Sequence, residues 1–273
     1  MLLQRVLTAA VLAPLVILII LFAPTGIFAL IAAAAFLAAL WEWSRLSGLK
    51  SGAWQIVYLG VAAALFVVFW LLRDTVLTPV LLVLGVAWWL VACAWLRHFA
   101  FGAAPTSENR ALKLLAGAFV VFPAWVAMVS IDERAPHGHG LTLLALVIVW
   151  AADIGAYFSG RTFGKRKLAP QISPGKTWAG AYGALVAGVL VTTLGGWWLL
   201  DVRGLQLVGL GILALVTVSA SIVGDLIESL MKRHAQVKDS GTMVPGHGGL
   251  MDRLDSVFAA LPVFAAGLLL LGL

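Results

Sequence analysis

Two pairs of carboxylates in the last fifth of the chain have residue types and spacing suited to binding a cation. Asp225 and Glu228 are three residues apart, and Asp252 and Asp255 repeat that spacing. A continuous helix would place the two members of each pair on one face. Because carboxylate oxygens are preferred ligands of the hard cation Mg²⁺, this pattern predicts a divalent-metal site.

Cations and glycines fill the segment between these two pairs. It holds Lys232, Arg233 and Lys238, then Asp239 and the turn 245–249, which reads Pro-Gly-His-Gly-Gly. Exposed glycine amides can approach a phosphate closely, and Lys or Arg neutralises phosphate charge. The mixture predicts a polyphosphate that is bound through Mg²⁺. Spacing alone leaves one alternative open, a solvated loop with ordinary charges beside a membrane.

A second polar segment runs from Asp153 to Thr177. It predicts a phosphate-binding collar, with a basic loop that only orients the protein as the alternative. Its five basic residues are Arg161, Lys165, Arg166, Lys167 and Lys176. Residues 175–177 spell Gly-Lys-Thr, but Pro170 stands where a Walker A loop needs its first glycine. A P-loop NTPase is therefore not supported.

The elements that must position these residues are membrane helices. Of the 273 residues 62% are hydrophobic and 11% are charged, with a mean hydropathy of +1.04, which excludes a soluble globular domain. The single cysteine, Cys93, excludes an intramolecular disulfide and a cysteine-based metal site. Runs of about 20 apolar residues can cross a bilayer as helices. Nine are predicted, near residues 6–23, 26–44, 54–72, 76–96, 112–131, 141–158, 178–200, 205–230 and 254–272.

The first of these runs is expected to be a retained helix. A cleaved signal peptide would normally deliver a soluble mature domain, whereas here the next apolar run begins near Gly26.

The basic residues are unevenly divided between the two ends of the predicted spans. If all nine cross, fifteen of the 18 Lys and Arg residues share one face, and only Arg73, Arg134 and Arg203 lie on the other. The positive-inside rule makes the rich face cytoplasmic, with the N-terminus inside and the C-terminus outside. Orientation thus accounts for the net charge of +6, and nucleic-acid binding is rejected.

The predicted fold is an all-α integral membrane protein, a polytopic bundle of about nine transmembrane helices. Residues 1–140 form its N-terminal part, with spans 1 to 5. Residues 141–273 form the catalytic part, with spans 6 to 9 and cytoplasmic loops at 159–177 and 231–253. Both parts belong to one compact bundle.

Glu42 and two histidines receive no chemical role, and a hydrolase is not supported. Glu42 lies beside Arg45 and is expected to be a capped or salt-bridged residue at a helix end. His137 and His139 are expected in a solvated turn on the outer face. The Gly-His-Gly-Gly run at 246–249 has no accompanying Gly-x-Ser-x-Gly elbow, so a hydrolase would lack its nucleophile.

Both polar segments resemble motifs of one enzyme family. The stretch from Ser229 to Asp255 reads S-x-x-K-R-x-x-x-x-K-D-x-G-x-x-x-P-G-H-G-G-x-x-D-R-x-D. It closely resembles the C-terminal motif of the CDP-diacylglycerol synthase family. The segment 153–177, with Ser-Pro-x-Lys-Thr at its end, is similar to that family's second characteristic region. The resemblance covers the chain from about residue 150 onward.

The resemblance implies transfer of a cytidylyl group from CTP to phosphatidate, with release of pyrophosphate, for phospholipid biosynthesis at the inner membrane. It implies Mg²⁺ as the cofactor and leaves open whether a second, monovalent cation such as K⁺ also binds. The implied catalytic residues are Asp225, Asp252, Lys232, Arg233, Lys238, Asp239, His247 and Arg253. The implied substrate-binding residues are Asp153, Arg161, Lys165, Ser173, Lys176, Thr177, Gly246, Gly248 and Gly249. The implied metal ligands are Asp225, Asp252, Glu228 and Asp255.

The expected partners are CTP, phosphatidate and membrane lipids, and the oligomeric state is open, with a homodimer as one alternative. Two other functions remain as alternatives. A CTP-dependent polyprenol or dolichol kinase would attack the γ-phosphorus instead. An anion or phosphate transporter would need polar residues at both faces, and here they cluster at one.

Overall fold

The computed structural model describes residues 2–244, 246 and 248–273; in the first helix it describes the side chains of Thr8 and of Ala10 onward. The elements in chain order are α1 Leu2–Phe22, α2 Thr25–Leu46, α3 Gly52–Leu71, α4 Leu77–Leu96, α5 Ser107–Asp132, α6 Gly138–Phe163, β1 Lys167–Ala169, β2 Ser173–Thr177, α7 Trp178–Leu199, α8 Leu205–His234 and α9 Met251–Leu271.

The helices confirm the predicted all-α membrane bundle. Among the described residues there are nine, and each contains one of the nine predicted apolar runs or most of it. Eight of them, α2 to α9, are long and apolar enough to cross a membrane, and the described apolar part of α1 is Ala10–Phe22. The ends differ from the predictions by a few residues, because polar residues such as those at 159–163 continue the helical hydrogen bonding of α6.

Contacts between loops define the two ends of the bundle. At one end the Arg73 Nε donates to Glu133 over 2.7 Å, and Arg134 donates to the main-chain oxygen of Leu273. At the other end the His234 Nε2 lies 2.7 Å from the Phe99 oxygen. We call this second end, with loops 47–51, 97–106, 164–177 and 235–250, the basic end. The helices therefore alternate in direction as the charge distribution predicts.

The central helices are α5 and α9, whose middle sections are almost fully buried. Each contains a proline, Pro123 in α5 and Pro262 in α9, and both prolines face Gly85 of α4. A Cβ at Gly85 would lie 2.5 Å from the Pro123 Cβ and 3.0 Å from the Pro262 Cβ. Glycine therefore allows α4 to pack against both helices at this crossing. By contrast, α3 is peripheral and exposes most of its apolar residues.

A short antiparallel hairpin is the element that the sequence did not predict. Strands β1 and β2 pair Lys167 with Thr177 and Ala169 with Ser173. Pro170 and Pro174 and the many polar residues hide the period-two pattern of a strand. The Thr177 hydroxyl accepts a hydrogen bond from the Gly180 N–H over 3.1 Å and caps α7. The hairpin thus leads directly into the N-terminus of a membrane helix.

A labelling experiment tests which end of the bundle faces the cytoplasm. In a Cys93→Ser background, cysteines that replace Lys165 and Lys238 at the basic end should react with an impermeant reagent only from the cytoplasmic side. A cysteine at Arg203 should react only from the outer side, because fifteen basic residues mark the opposite end. Labelling of positions 165 and 203 from the same side would contradict the topology.

Candidate active site

One ion pair joins the two polar segments that the sequence singled out. The Lys176 Nζ on β2 contacts the Asp225 Oδ2 on α8, and the two side chains are 25% and 31% exposed. Asp153 on α6 lies within electrostatic range of both groups and of Arg253. Because α6 and α7 cross closely at Gly155 and Gly183, β2 is held beside Asp153. Three elements therefore converge on the Lys176–Asp225 pair.

A second lysine bridges the two carboxylate pairs. The Lys232 Nζ lies 2.6 Å from the Asp252 Oδ1 and also contacts the Glu228 Oε2. The Glu228 side chain has no exposed surface, and the Asp252 side chain is 7% exposed. Two buried carboxylates beside one ammonium are stable only while that cation stays, because unpaired buried charge is strongly unfavourable.

Asp252 also organises the loop between α8 and α9. Its Oδ2 accepts hydrogen bonds from the Ser240 N–H at 3.0 Å, the Ser240 Oγ at 2.9 Å and the Gly249 N–H at 2.8 Å. Both oxygens of Asp252 are thus occupied by protein donors. Ser240 and Gly249, near the two ends of the loop 238–249, are thus attached to this carboxylate.

Arg233 attaches the hairpin to α8. Its Nε donates to the main-chain oxygen of Ile172 over 3.1 Å, and the Ile172 side chain is buried. This contact fixes the turn between β1 and β2, and with it the position of Lys176.

Replacing Arg233 by Ala should therefore reduce kcat/KM for both substrates that the family resemblance implies, CTP and phosphatidate. The loss of a charge-assisted contact and of a cation beside the phosphates should cost about 1.5–3 kcal/mol, or roughly 10- to 150-fold. Steady-state kinetics of purified protein would measure it, with Arg97→Ala as the control, since Arg97 is an exposed cation at the same end. Equal kcat/KM values in Arg233→Ala and Arg97→Ala would mean that Arg233 only helps to orient the protein in the membrane.

Three connected cavities surround these groups. The membrane groove, about 530 Å³, lies between α6, α7 and α8 and is lined in part by Ala and Gly, with Arg161, Lys176 and Asp225 at one end. The polar cavity, about 400 Å³, shares Asp153, Asp225 and Ser256 with the groove. The loop cavity, about 580 Å³, shares Lys238, Asp239 and Arg253 with the polar cavity. The three cavities thus adjoin one another along a path from between the helices to the basic end.

Most of the residues predicted for the site lie along this path. The polar cavity is lined by Asp153, Ser173, Asp225, Lys232, Arg233, Lys238, Asp239, Asp252, Arg253 and Asp255. Arg161, Lys176 and Thr177 line the membrane groove, and Gly246 and Gly248 line the loop cavity.

Four predicted residues are placed differently or lie outside the description. Within the described part of the chain, Lys165 is exposed and lies away from the three cavities. Glu228 is buried behind Lys232. Gly249 does not line the cavities but donates its N–H to Asp252. His247 lies outside the described residues.

The expected role of Glu42 as a capped or salt-bridged helix end is wrong. Its side chain is fully buried, and it accepts hydrogen bonds from the loop between α8 and α9. Arg45 instead lies over the Trp41 ring, 5.0 Å from its centroid. No local sequence signal indicates this contact, because its partners are about 200 residues further along the chain.

The carboxylates suit Mg²⁺ that is shared with a substrate. Among the residues that the structure describes, no group of three or more His, Cys, Asp or Glu side chains is arranged to hold a metal on its own. Mg²⁺ usually takes one or two carboxylates and completes its shell with water and phosphate oxygens. Asp153, Asp225 and Asp255 lie within electrostatic range of one another, so one or two of them can share an ion with a substrate. The Asp225 Oδ1 accepts a 3.3 Å hydrogen bond from the Ser229 hydroxyl, and its Oδ2 contacts Lys176.

Comparison with known proteins agrees with this site. A sequence model of the cytidylyltransferase family matches residues 3–271. The chain belongs to the cytidylyltransferase family. It is similar to the phosphatidate cytidylyltransferase of Pseudomonas aeruginosa, at 40% identity over 97% of this chain and 96% of that protein. It is also similar to the phosphatidate cytidylyltransferases of Haemophilus influenzae, at 37% identity over 97% and 98%, and of Brucella suis, at 35% over 94% and 89%.

The match to the cytidylyltransferase family extends well beyond the two polar motifs. It includes helices α2 to α5, which the motif resemblance left out. The N-terminal helices are therefore part of the fold that this family shares.

Proposed function

We propose that this chain is a phosphatidate cytidylyltransferase that converts CTP and phosphatidate to CDP-diacylglycerol and pyrophosphate. One observation carries the proposal: a groove between membrane helices meets a highly charged cavity at the Lys176–Asp225 pair. A lipid phosphate and a nucleotide triphosphate need these two environments side by side. The names of the relatives at 35–40% identity support the same reaction.

The membrane groove suits phosphatidate. Small residues such as Ala156, Gly180 and Ala184 line its walls and leave room for acyl chains. At its polar end, Arg161 and Lys176 provide positive charge beside the N-terminus of α7. A helix N-terminus and two cations favour a phosphate group. The lipid phosphate would therefore lie near Lys176, with its chains between the helices.

The polar cavity and the loop cavity suit the triphosphate of CTP. Arg233, Lys238 and Arg253 line the polar cavity and would neutralise phosphate oxygens. In the loop cavity Gly246 and Gly248 have positive φ angles of 76° and 85°. Neither glycine carries a side chain, so a phosphate can approach the backbone at these two positions closely.

Asp225, with Asp153 or Asp255 as a second ligand, would hold Mg²⁺ together with phosphate oxygens, and Asp252 and Glu228 would take part only if Lys232 moved away. When bound, Mg²⁺ would supply charge neutralisation for the triphosphate oxygens. A second, monovalent cation such as K⁺ would need Glu228 and Asp252, which pair with Lys232. The positive charge of Lys176 already holds Asp225 in place before substrates bind.

The reaction needs alignment more than it needs a base. An anionic oxygen of phosphatidate attacks the α-phosphorus of CTP, a new P–O bond forms, and the bond to the β-phosphate oxygen breaks as pyrophosphate leaves. Since the attacking oxygen carries no proton, no side chain has to remove one. Lys176 orients the attacking phosphate, and Arg233, Lys238 and Arg253 stabilise the charge that develops on the leaving group.

The basic end would face the cytoplasm of a bacterial inner membrane, where CTP is available. The fifteen basic residues at that end support this orientation. A homodimer is compatible with the apolar surface of α3 and stays a proposal.

Product identity tests the proposed function. Purified protein in detergent would receive phosphatidate, Mg²⁺ and CTP labelled at either the α- or the γ-phosphorus. The α-label should enter the lipid, and the γ-label should appear in pyrophosphate. Transfer of the γ-label to lipid would instead identify a lipid kinase. Transport of phosphate into vesicles without any lipid product would support the transporter alternative.

A further inference from the structure

Glu42 is a buried carboxylate that the reaction described above does not use. It lies on α2, far from the polar segments in the sequence, and its side chain is fully buried at the basic end. Burying a carboxylate is unfavourable unless donors satisfy it. The donors of Glu42 therefore indicate what its burial achieves.

Those donors belong to the loop 238–249 and to the start of α9. The Glu42 Oε2 accepts hydrogen bonds from the Met251 N–H at 2.7 Å and from the Ser240 Oγ at 3.1 Å. The same Ser240 hydroxyl lies 2.9 Å from the Asp252 Oδ2. The loop is thus held between two carboxylates, Asp252 on α9 and Glu42 on α2.

Two glycines show how closely the loop encloses Glu42. A Cβ at Gly241 would overlap the Glu42 side chain, and its three nearest atoms would all belong to that residue. A Cβ at Gly249 would overlap the Glu42 Oε2 and the Ser240 Oγ. Any side chain at either position would displace the loop or the carboxylate. The loop is therefore shaped to fit one carboxylate from the N-terminal part of the chain.

We propose that Glu42 is a positioning residue that sets the loop 238–249 against CTP. The proposal rests on the proposed function, in which Lys238, Asp239 and the loop glycines line the triphosphate site. Glu42 does not line the membrane groove, whose walls come mainly from α6, α7 and α8. Loss of Glu42 should therefore affect CTP and spare phosphatidate.

Kinetics of Glu42→Ala and Glu42→Gln test this division. Glu42→Ala should lower kcat/KM for CTP by about 30- to 300-fold, and Glu42→Gln by less, because the amide oxygen can still accept from Met251. The KM for phosphatidate should stay within about twofold in both. Asp132→Asn is the matched control, a buried carboxylate at the opposite end of the bundle, and should leave the KM for CTP unchanged. Equal effects on both substrates would contradict the proposal.

A double-mutant cycle tests the contact itself. Gly241→Ala alone should lower kcat/KM for CTP by about tenfold or more, because its methyl group overlaps Glu42. In the Glu42→Ala background the same change should cost less than about twofold, since the overlapping atoms are gone. Additive effects would show that Glu42 does not set the loop. If Glu42→Ala fails to fold, the substrate kinetics of Glu42→Gln, which keeps the size of the side chain, carry the test.

Hydrogen exchange measures the loop without using activity. The amides of Ser240, Gly249 and Met251 should exchange faster in Glu42→Ala than in the wild type or in Asp132→Asn. If Glu42→Ala exchanges faster but the wild type makes no CDP-diacylglycerol, Glu42 still positions the loop and the proposed function is overturned. Unchanged exchange and unchanged CTP kinetics in an active enzyme would overturn the positioning role alone.

Discussion

Asp225→Asn is expected to lower kcat by at least about a hundredfold while the protein stays inserted and monodisperse in detergent. The substitution is nearly isosteric, so packing changes little. It removes the anionic partner of Lys176 and an oxygen of the carboxylate cluster with Asp153 and Asp255. In the proposed mechanism Lys176 orients the lipid phosphate and Mg²⁺ neutralises the nucleotide, so both substrates would lose their alignment.

Two measurements separate this effect from general damage. The Mg²⁺ concentration that gives half-maximal activity should rise in Asp225→Asn, because a hard-cation ligand has lost its charge. Asp201→Asn serves as the control, since Asp201 is an exposed carboxylate near the opposite end of α8. Near-normal kcat and an unchanged Mg²⁺ requirement in Asp225→Asn would mean that this carboxylate only neutralises the charge of Lys176.

Asp252→Asn is expected to be similarly severe for a different reason. Its Oδ2 accepts three hydrogen bonds and its Oδ1 pairs with Lys232. An amide has one acceptor oxygen and two N–H donors, so at least one loop donor or Lys232 would lose its partner. The buried Glu228–Lys232 pair would also change its charge balance. We expect a loss of about a hundredfold or more in kcat/KM for CTP.

The loop distinguishes the two aspartates. In Asp252→Asn the amides of Ser240 and Gly249 should exchange faster with solvent, whereas in Asp225→Asn they should not. Glu133→Gln provides the control for loss of a paired carboxylate, because Glu133 pairs with Arg73 at the other end. Normal CTP kinetics and normal exchange in Asp252→Asn would rule out its role in holding the loop.

The sequence predicted the bundle because a bilayer leaves little choice. Each apolar run long enough to cross must form a helix, and basic residues mark alternate loops, so α2 to α9 and their alternating directions followed from composition alone. The hairpin at 167–177 did not follow, since its prolines and polar residues carry no strand period. Its pairing depends on docking through Arg233 and on the cap of α7.

Within the site, residue types were predictable and partners were not. The motifs located Lys176 and Asp225, but nothing local pairs two residues 49 positions apart in the sequence. Glu42 is the extreme case, because its role depends on a loop about 200 residues away. Long-range packing of α2 against α5 and α9 brings it there. The division at residue 140 stays a prediction, and Glu42 shows that a residue before it contacts the loop after α8.

The stereochemistry at the α-phosphorus tests the central claim most directly. If a phosphatidate oxygen from the groove attacks CTP in the adjoining cavity, a single in-line displacement takes place at that phosphorus. With CTP made chiral by sulfur at the α-phosphorus, the CDP-diacylglycerol analogue should therefore show inverted configuration. Retained configuration would reveal two successive displacements through a covalent enzyme intermediate, and would contradict direct transfer at the Lys176–Asp225 junction.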